Sequence, residues 1–314
     1  MIKEETNLNS KYNITIGIPT FRRFESIVKL IDQIKASLVL REKAKVIIIN
    51  DSGNDYDCIE YDNYFEKSDF SDNLIDCSYI KNEANIGYSR TFLRLFEECD
   101  TEYLLVMADD DLLIDDNFIE ILDFLEKNKP DIASPQWLRN EKLYRGESIT
   151  RKVEAEEYKR CCGHAPGVIY NVKKASEFLP LLRERISMNC SAALTYPQVL
   201  LCISMMITYD NCWHLSYPIA KEGDALGSGI KDSSGNHYGS FASRLQQAAA
   251  FDDFILSFKE NDYRNRVLKQ SRFSSLSSVI KSDADVRKAI SSRFKRKSLL
   301  SKLLALLPTS VKGK

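Results

Sequence analysis

The chain has no excess of charge of either sign. Across its 314 residues, 44 Lys and Arg stand against 45 Asp and Glu, a formal net charge of −1. Such a balance creates no global attraction to nucleic acid, and no nucleic-acid partner is expected. No apolar run approaches the roughly 18–20 residues that a membrane-spanning helix needs. Residues 1–12 are polar and acidic and lack the apolar core of a secretory leader. The eight cysteines form no CxxC pair and no zinc-finger spacing. Several lie in apolar segments, where a free thiol behaves as a small hydrophobe. These absences predict a reduced, cytoplasmic protein. A GxxxxGK[ST] phosphate loop is also missing, and no GxGxxG follows the first apolar strand.

What is present is an alternation of strand and helix patterns. Runs at 14–18, 46–49 and 103–107 read as strands, and 77–80 as a further short one. Helical periodicity marks 24–38, 89–98 and 117–128. The pattern predicts an open, mostly parallel α/β sheet flanked by helices. Ligands of such sheets bind beyond the carboxyl ends of the strands. Those ends carry Pro19-Thr20-Phe21-Arg22-Arg23, Asn50-Asp51-Ser52-Gly53, 81–87 and Asp109-Asp110-Asp111. Further strands are expected at 132–136 and 167–170, and helices at 173–185, 197–207 and 241–259. A loop rich in Gly and Ser spans 222–240, long enough to suggest a lid, a binding loop or a linker.

The three adjacent aspartates repel one another unless a cation joins them. They do not form an EF-hand loop, because Leu113 and Ile114 fall where a ligand and a glycine are needed. A helix cap could use one of them, not three. A carboxylate site for Mg²⁺ or Mn²⁺, completed by substrate phosphates, fits the pattern.

Four motifs in order carry a family resemblance. They are Ile16-Gly17-Ile18-Pro19-Thr20-Phe21-Arg22-Arg23, Ile48-Ile49-Asn50-Asp51-Ser52-Gly53, Asn82-Glu83-Ala84-Asn85-Ile86-Gly87-Tyr88-Ser89-Arg90 and Leu105-Val106-Met107-Ala108-Asp109-Asp110-Asp111. Together they resemble the family 2 glycosyltransferases of the GT-A fold, over roughly residues 13–125. The resemblance implies a nucleotide-diphosphate sugar donor and transfer with inversion. It places Pro19, Thr20 and Arg22 in the nucleotide pocket and Asp51 on the base. Asn85, Gly87 and Arg90 would lie near the base, ribose or diphosphate, and Asp109 near the ribose or metal. Asp110 would be the main metal ligand, with Asp111 as the alternative.

The family's general base, an acid well downstream of the acidic run, has no counterpart. The corresponding stretch, 189–198, holds no carboxylate, and Gln198 stands where one is expected. An amide does not take up a proton at neutral pH, so His164 and Asp210 are the nearest alternatives. His237, in the Gly/Ser loop, could meet the diphosphate if that loop closes. His214, beside Trp213, reads as core. Tyr196-Pro197-Gln198 resembles bacterial transferases that add branch sugars to O-antigen units.

From Val286 onward the chain has nine basic residues and no acid, around a leucine-rich stretch at 298–307. That combination suits an anionic membrane surface, or a C-terminal helix docked on the core with a solvated basic face. The expectation is a GT-A domain over 1–230 and a helical region over 240–314. The enzyme would use a lipid-linked or polysaccharide acceptor at the inner face of the cytoplasmic membrane. Two other readings compete with this one: a sugar nucleotidyltransferase, and a degenerate transferase that only binds.

Overall fold

The computed structural model describes residues 13–53, 56–67, 75–145, 148–223 and 239–282. His237, most of the Gly/Ser loop and the basic C-terminal stretch lie outside the described residues. The strands are β1 (Ile14–Thr20), β2 (Ala44–Asn50), β3 (Asp76–Lys81), β4 (Tyr103–Val106), β5 (Leu112–Leu113), β6 (Ile132–Arg139), β7 (Lys142–Leu143), β8 (Arg151–Lys152), β9 (Val168–Asn171) and β10 (Cys212–Lys221). The helices are α1 (Phe24–Ala36), α2 (Leu38–Lys43), α3 (Tyr56–Lys67), α4 (Tyr88–Glu98), α5 (Phe118–Asn128), α6 (Tyr158–Cys162), α7 (Val172–Ser176), α8 (Leu179–Ser187), α9 (Ser191–Thr195), α10 (Pro197–Thr208), α11 (Phe241–Leu256) and α12 (Asp262–Ser282).

One sheet runs in the order β3-β2-β1-β4-β9-β6-β10-β5. Its first four strands are parallel, as the run at 46–49, apolar on both faces, predicts. Beyond β4 the sheet becomes mixed: β9 is antiparallel to both β4 and β6, and β10 is parallel to β6. Alternate residues of the strands feed two cores. Ile14, Ile16, Ile18, Val46, Ile48, Tyr103 and Leu105 pack with α1 and α5 on one face. Ile47, Ile49, Leu104 and Val106 pack with α4 and α10 on the other. Each such side chain, removed from water, contributes roughly 1.5–3 kcal/mol.

Pro19 continues β1 rather than ending it, pairing in register with Ile49. Its missing N–H is tolerated because the β1–β4 ladder stops at Gly17 and Val106. The helix expected over 173–185 is two, α7 and α8, with Pro180 in the first turn of the second. A proline is accepted there because that N–H has no helical partner. His214 is fully buried, as expected of a core residue. The helices α11 and α12 add Phe251, Phe254, Ile255, Val267 and Leu268 to the same core that α4 and α10 fill.

Candidate active site

The parallel strands all end at one edge, and the chain turns there into polar loops. Asp51 follows β2, and its backbone N–H donates to the Thr20 carbonyl at 2.8 Å. Its carboxylate accepts from Asn82 Nδ2 (2.8 Å), Ile86 N–H (2.9 Å) and Gly87 N–H (2.9 Å). Asp51 therefore ties the end of β2 to the 82–87 loop, with about one of its four lone-pair sites left for a ligand. Gly87 has φ +84°, a left-handed conformation that a side chain resists, and it starts α4.

Thr20 closes β1 over the acidic run. Its hydroxyl donates to Asp109 Oδ2 at 2.8 Å, and the buried Tyr61 hydroxyl lies 2.8 Å from the same Thr20 oxygen. Arg23 Nη1 lies 2.9 Å from Asp109 Oδ1 and 2.6 Å from Asp110 Oδ2. Burial works against the charge on Arg23, but Asp109 and Asp110 outweigh it and raise its pKa. Burial raises the pKa of Asp109, with Arg23 and Thr20 opposing. The arginine of the 22–23 pair that meets the acids is Arg23. Arg22 sits at φ +55°, with its guanidinium 5.0 Å from the Phe21 ring centre.

The three aspartates diverge. Asp111 turns inward and accepts from Trp137 Nε1 at 3.1 Å and from Gly223 N–H at 3.4 Å. Asp110 is the most exposed, its side chain 22 % accessible. Gly223 lies so close to the Asp110 carbonyl that a Cβ would stand 2.0 Å from that oxygen.

His164 lies across from Asp111, with Nε2 3.6 Å from Oδ2. Its ring centre is 3.9 Å from that of Trp137 and 5.8 Å from that of Tyr144. The turn carrying it is braced by Arg145, which is 1 % exposed. Arg145 Nη2 donates to the carbonyls of His164 (3.0 Å) and Pro166 (2.9 Å), and Nη1 to that of Pro135. Among the described residues no carboxylate pairs with this buried cation, and burial lowers its pKa.

These groups line one cleft of about 1250 Å³. Of the expected site residues, Pro19, Thr20, Asp51, Asn85, Gly87, Asp109, Asp110, Asp111, His164 and Gln198 face it. Gln198 enters from the first turn of α10, is 5 % exposed and has no hydrogen-bond partner for Oε1 among the described residues. Arg22 and Arg90 are not part of the lining; the Arg90 guanidinium caps the Ile86 carbonyl at 3.2 Å. Asp210 is exposed, beyond the far end of α10 and about 18 Å of helix from Gln198. Arg23, Trp137, Tyr144 and Arg244 line the cleft without having been singled out in the sequence.

The acidic run suits a metal that takes one carboxylate and draws its remaining ligands from phosphates. No group of three or more metal-binding side chains gathers among the described residues. The site would therefore depend on its ligand, as Mg²⁺ sites often do.

A cleft beyond the carboxyl ends of the strands is where open α/β sheets bind their ligands. Residues 15–162 match the model of glycosyl transferase family 2, so this stretch of the chain is a family 2 glycosyltransferase domain. Among solved structures, residues 1–349 of S. aureus TarS in complex with UDP-GlcNAc superpose with a TM-score of 0.63 at 11 % identity. The match covers 95 % of this chain and 82 % of that one. The mannosyltransferase PcManGT from Pyrobaculum calidifontis, in complex with GDP-Man and Mn²⁺, gives 0.56 at 12 % identity, covering 96 % and 82 %. These likenesses show the GT-A fold. No curated protein sequence matches the chain.

Proposed function

We propose that the cleft binds a nucleotide-diphosphate sugar and transfers its sugar, with inversion, to a hydroxyl of a lipid-linked or polysaccharide acceptor. The observation that carries this reading is the convergence of the β1, β2 and β4 ends, with Asp51, Asp109 and Asp110, on one cleft. The donors bound by the superposed TarS and PcManGT structures support a nucleotide-sugar ligand. The family match favours this reading over a nucleotidyltransferase.

The nucleoside would lie against the 82–87 loop, and the diphosphate near Arg23 and Asp110. A divalent cation, Mn²⁺ or Mg²⁺ held by Asp110, would supply charge to offset the leaving diphosphate. Arg23 adds fixed positive charge at the same place. Asp111 would serve Trp137 and His164 instead. The acceptor oxygen bonds to the anomeric carbon as the bond from that carbon to the diphosphate breaks, and the electron pair leaves with the diphosphate. The acceptor's proton passes to the His164 imidazole, next to Asp111. The unpartnered Oε1 of Gln198 accepts a hydrogen bond from a substrate hydroxyl and so positions it.

Transfer would take place at the inner face of the cytoplasmic membrane, in the synthesis of a surface glycan. No described helix is long and apolar enough to cross a membrane. The membrane-binding role proposed for the basic tail falls outside the described residues. Thermal-shift measurements with nucleotide sugars and Mn²⁺ test the donor reading, since occupancy stabilises the fold. No stabilisation by any nucleotide sugar, together with no slow donor hydrolysis, would overturn it. Pyrophosphate release from a nucleoside triphosphate and a sugar phosphate would instead mark a nucleotidyltransferase.

A further inference from the structure

A second cavity of about 190 Å³ lies behind the cleft, among α6, α10, α11 and α12. Gly163, Tyr196 and Arg244 border both spaces. Two cations enter the smaller one. Lys159 reaches from α6 toward α12, where Nζ donates to Ser274 Oγ at 2.6 Å. Its ammonium sits 5.6 Å from the Phe251 ring centre and 5.8 Å from that of Tyr158. Arg244 comes from α11, with Nη1 donating to the Tyr196 hydroxyl (2.8 Å) and to Gln247 Oε1 (3.2 Å).

No carboxylate lines this cavity among the described residues, and none pairs with Lys159. Burial, with Arg244 nearby, pulls the Lys159 pKa down to about 8. Ser275 adds a hydroxyl on a residue only 7 % exposed, with no hydrogen-bond partner among the described residues. The Lys159 ammonium, facing a half-buried space with hydroxyl donors and no acid among the described residues, is complementary to an oxyanion.

We propose that this cavity is a phosphoryl subsite, and that it holds a phosphate ester of the acceptor while the accepting hydroxyl lies in the main cleft. Gly163 walls the cavity and His164 follows it in the chain, so the anion would be held one residue behind the proposed proton acceptor. The acceptor half of this inference rests on the glycosyltransferase reading; the anion site itself does not.

Thermal melting with inorganic phosphate, glycerol 3-phosphate and dimethyl phosphate, against chloride at equal ionic strength, tests both halves. Saturating phosphate should raise the wild-type midpoint by about 3 °C at ten times Kd. Lys159→Met should weaken phosphate binding at least about tenfold, as loss of one charge-assisted contact implies. The same variant should melt higher than wild type in phosphate-free buffer, because a half-buried cation without a counterion is gone. That measurement also shows that the variant folds. Lys159→Arg should keep the phosphate response.

Absence of a phosphate shift in the wild type, or an equal shift in Lys159→Met, overturns the anion site. A response to inorganic phosphate without any response to the two esters overturns the acceptor assignment and leaves a site for free phosphate. Nucleotide sugar with Mn²⁺, run on the same wild-type protein, reports the donor cleft separately. Either reading can therefore fail while the other stands.

Discussion

Arg23 holds Asp110 at 2.6 Å and so places a fixed positive charge beside the most exposed carboxylate of the acidic run. If Asp110 carries the metal, Asp110→Asn should lower Mn²⁺-dependent transfer by about 10²–10³-fold, the loss typical of one group that offsets transition-state charge. The fold should survive, since Asp110 is not a core residue. Turnover assayed with and without Mn²⁺, alongside a melting curve, checks both parts. Undiminished metal-dependent turnover would remove Asp110 from the site.

His164→Gln keeps a polar side chain but removes the proton acceptor. Transfer should fall by about 10²–10⁴-fold, the usual contribution of a general base. Donor affinity, measured by nucleotide titration, should change little. A parallel loss of donor affinity would make His164 a donor ligand rather than the base.

Gln198→Leu should fold normally, because Oε1 bonds to no group among the described residues. If Gln198 receives a substrate hydroxyl, the acceptor KM should rise about 3–10-fold, the value of one neutral hydrogen bond. Steady-state kinetics in acceptor decides this, and an unchanged KM argues for a packing role.

Gly223→Ala should be far more damaging than its size suggests. The new Cβ would meet backbone at Asp110, which cannot swing aside as a side chain can. Overpacking of this kind typically costs about 1–3 kcal/mol, read as a lower urea midpoint at unchanged slope. Activity should drop as well, because Asp110 and Asp111 move together.

Acid stability has an identifiable contributor at Glu157. Bidentate bonding from Arg151, at 2.7 Å to each oxygen, holds the Glu157 pKa down to about 2. A depressed carboxylate stabilises the fold above its ordinary value of 4.5, and that stability is lost as the pH falls toward 2. Arg151→Met should therefore flatten the fall of the melting midpoint over that range. Asp109 acts in the opposite sense. Burial raises its folded pKa, so its ionisation costs stability as the pH rises from the ordinary carboxylate range through that raised value.

β1, β2 and β4 were legible as buried, largely apolar runs and the half-buried β3 as a short stretch between turn residues, and their order placed Thr20, Asp51 and Asp109 on one edge. β10 was not legible. Pro218 and polar Ser216 interrupt its pattern, and the register shifts between His214 and Pro218 absorb the irregularity. Trp137 was missed for a related reason, since β6 continues past the expected end at Gln136 and delivers the indole to Asp111. The choice between Arg22 and Arg23 turned on one positive φ, which reverses which side chain faces the acids. Arg145 could not be foreseen, because a guanidinium bound only to carbonyls leaves no charge pattern in the sequence.

The Asp51 network has a consequence for variation among related enzymes. Two of its three donors are backbone N–H groups, at Ile86 and Gly87, and these are indifferent to the side chains they carry. The path of the 82–87 loop is thus encoded by Asp51, Asn82 and Gly87. Asn85 adds a side-chain contribution, its Oδ1 accepting from the Gly87 N–H at 2.9 Å, so only the exposed side chains at Glu83 and Ala84 are left open to substitution. Exchanges confined to those two positions should leave the Asp51 network, and with it the wall of the cleft at Asn85 and Gly87, unchanged.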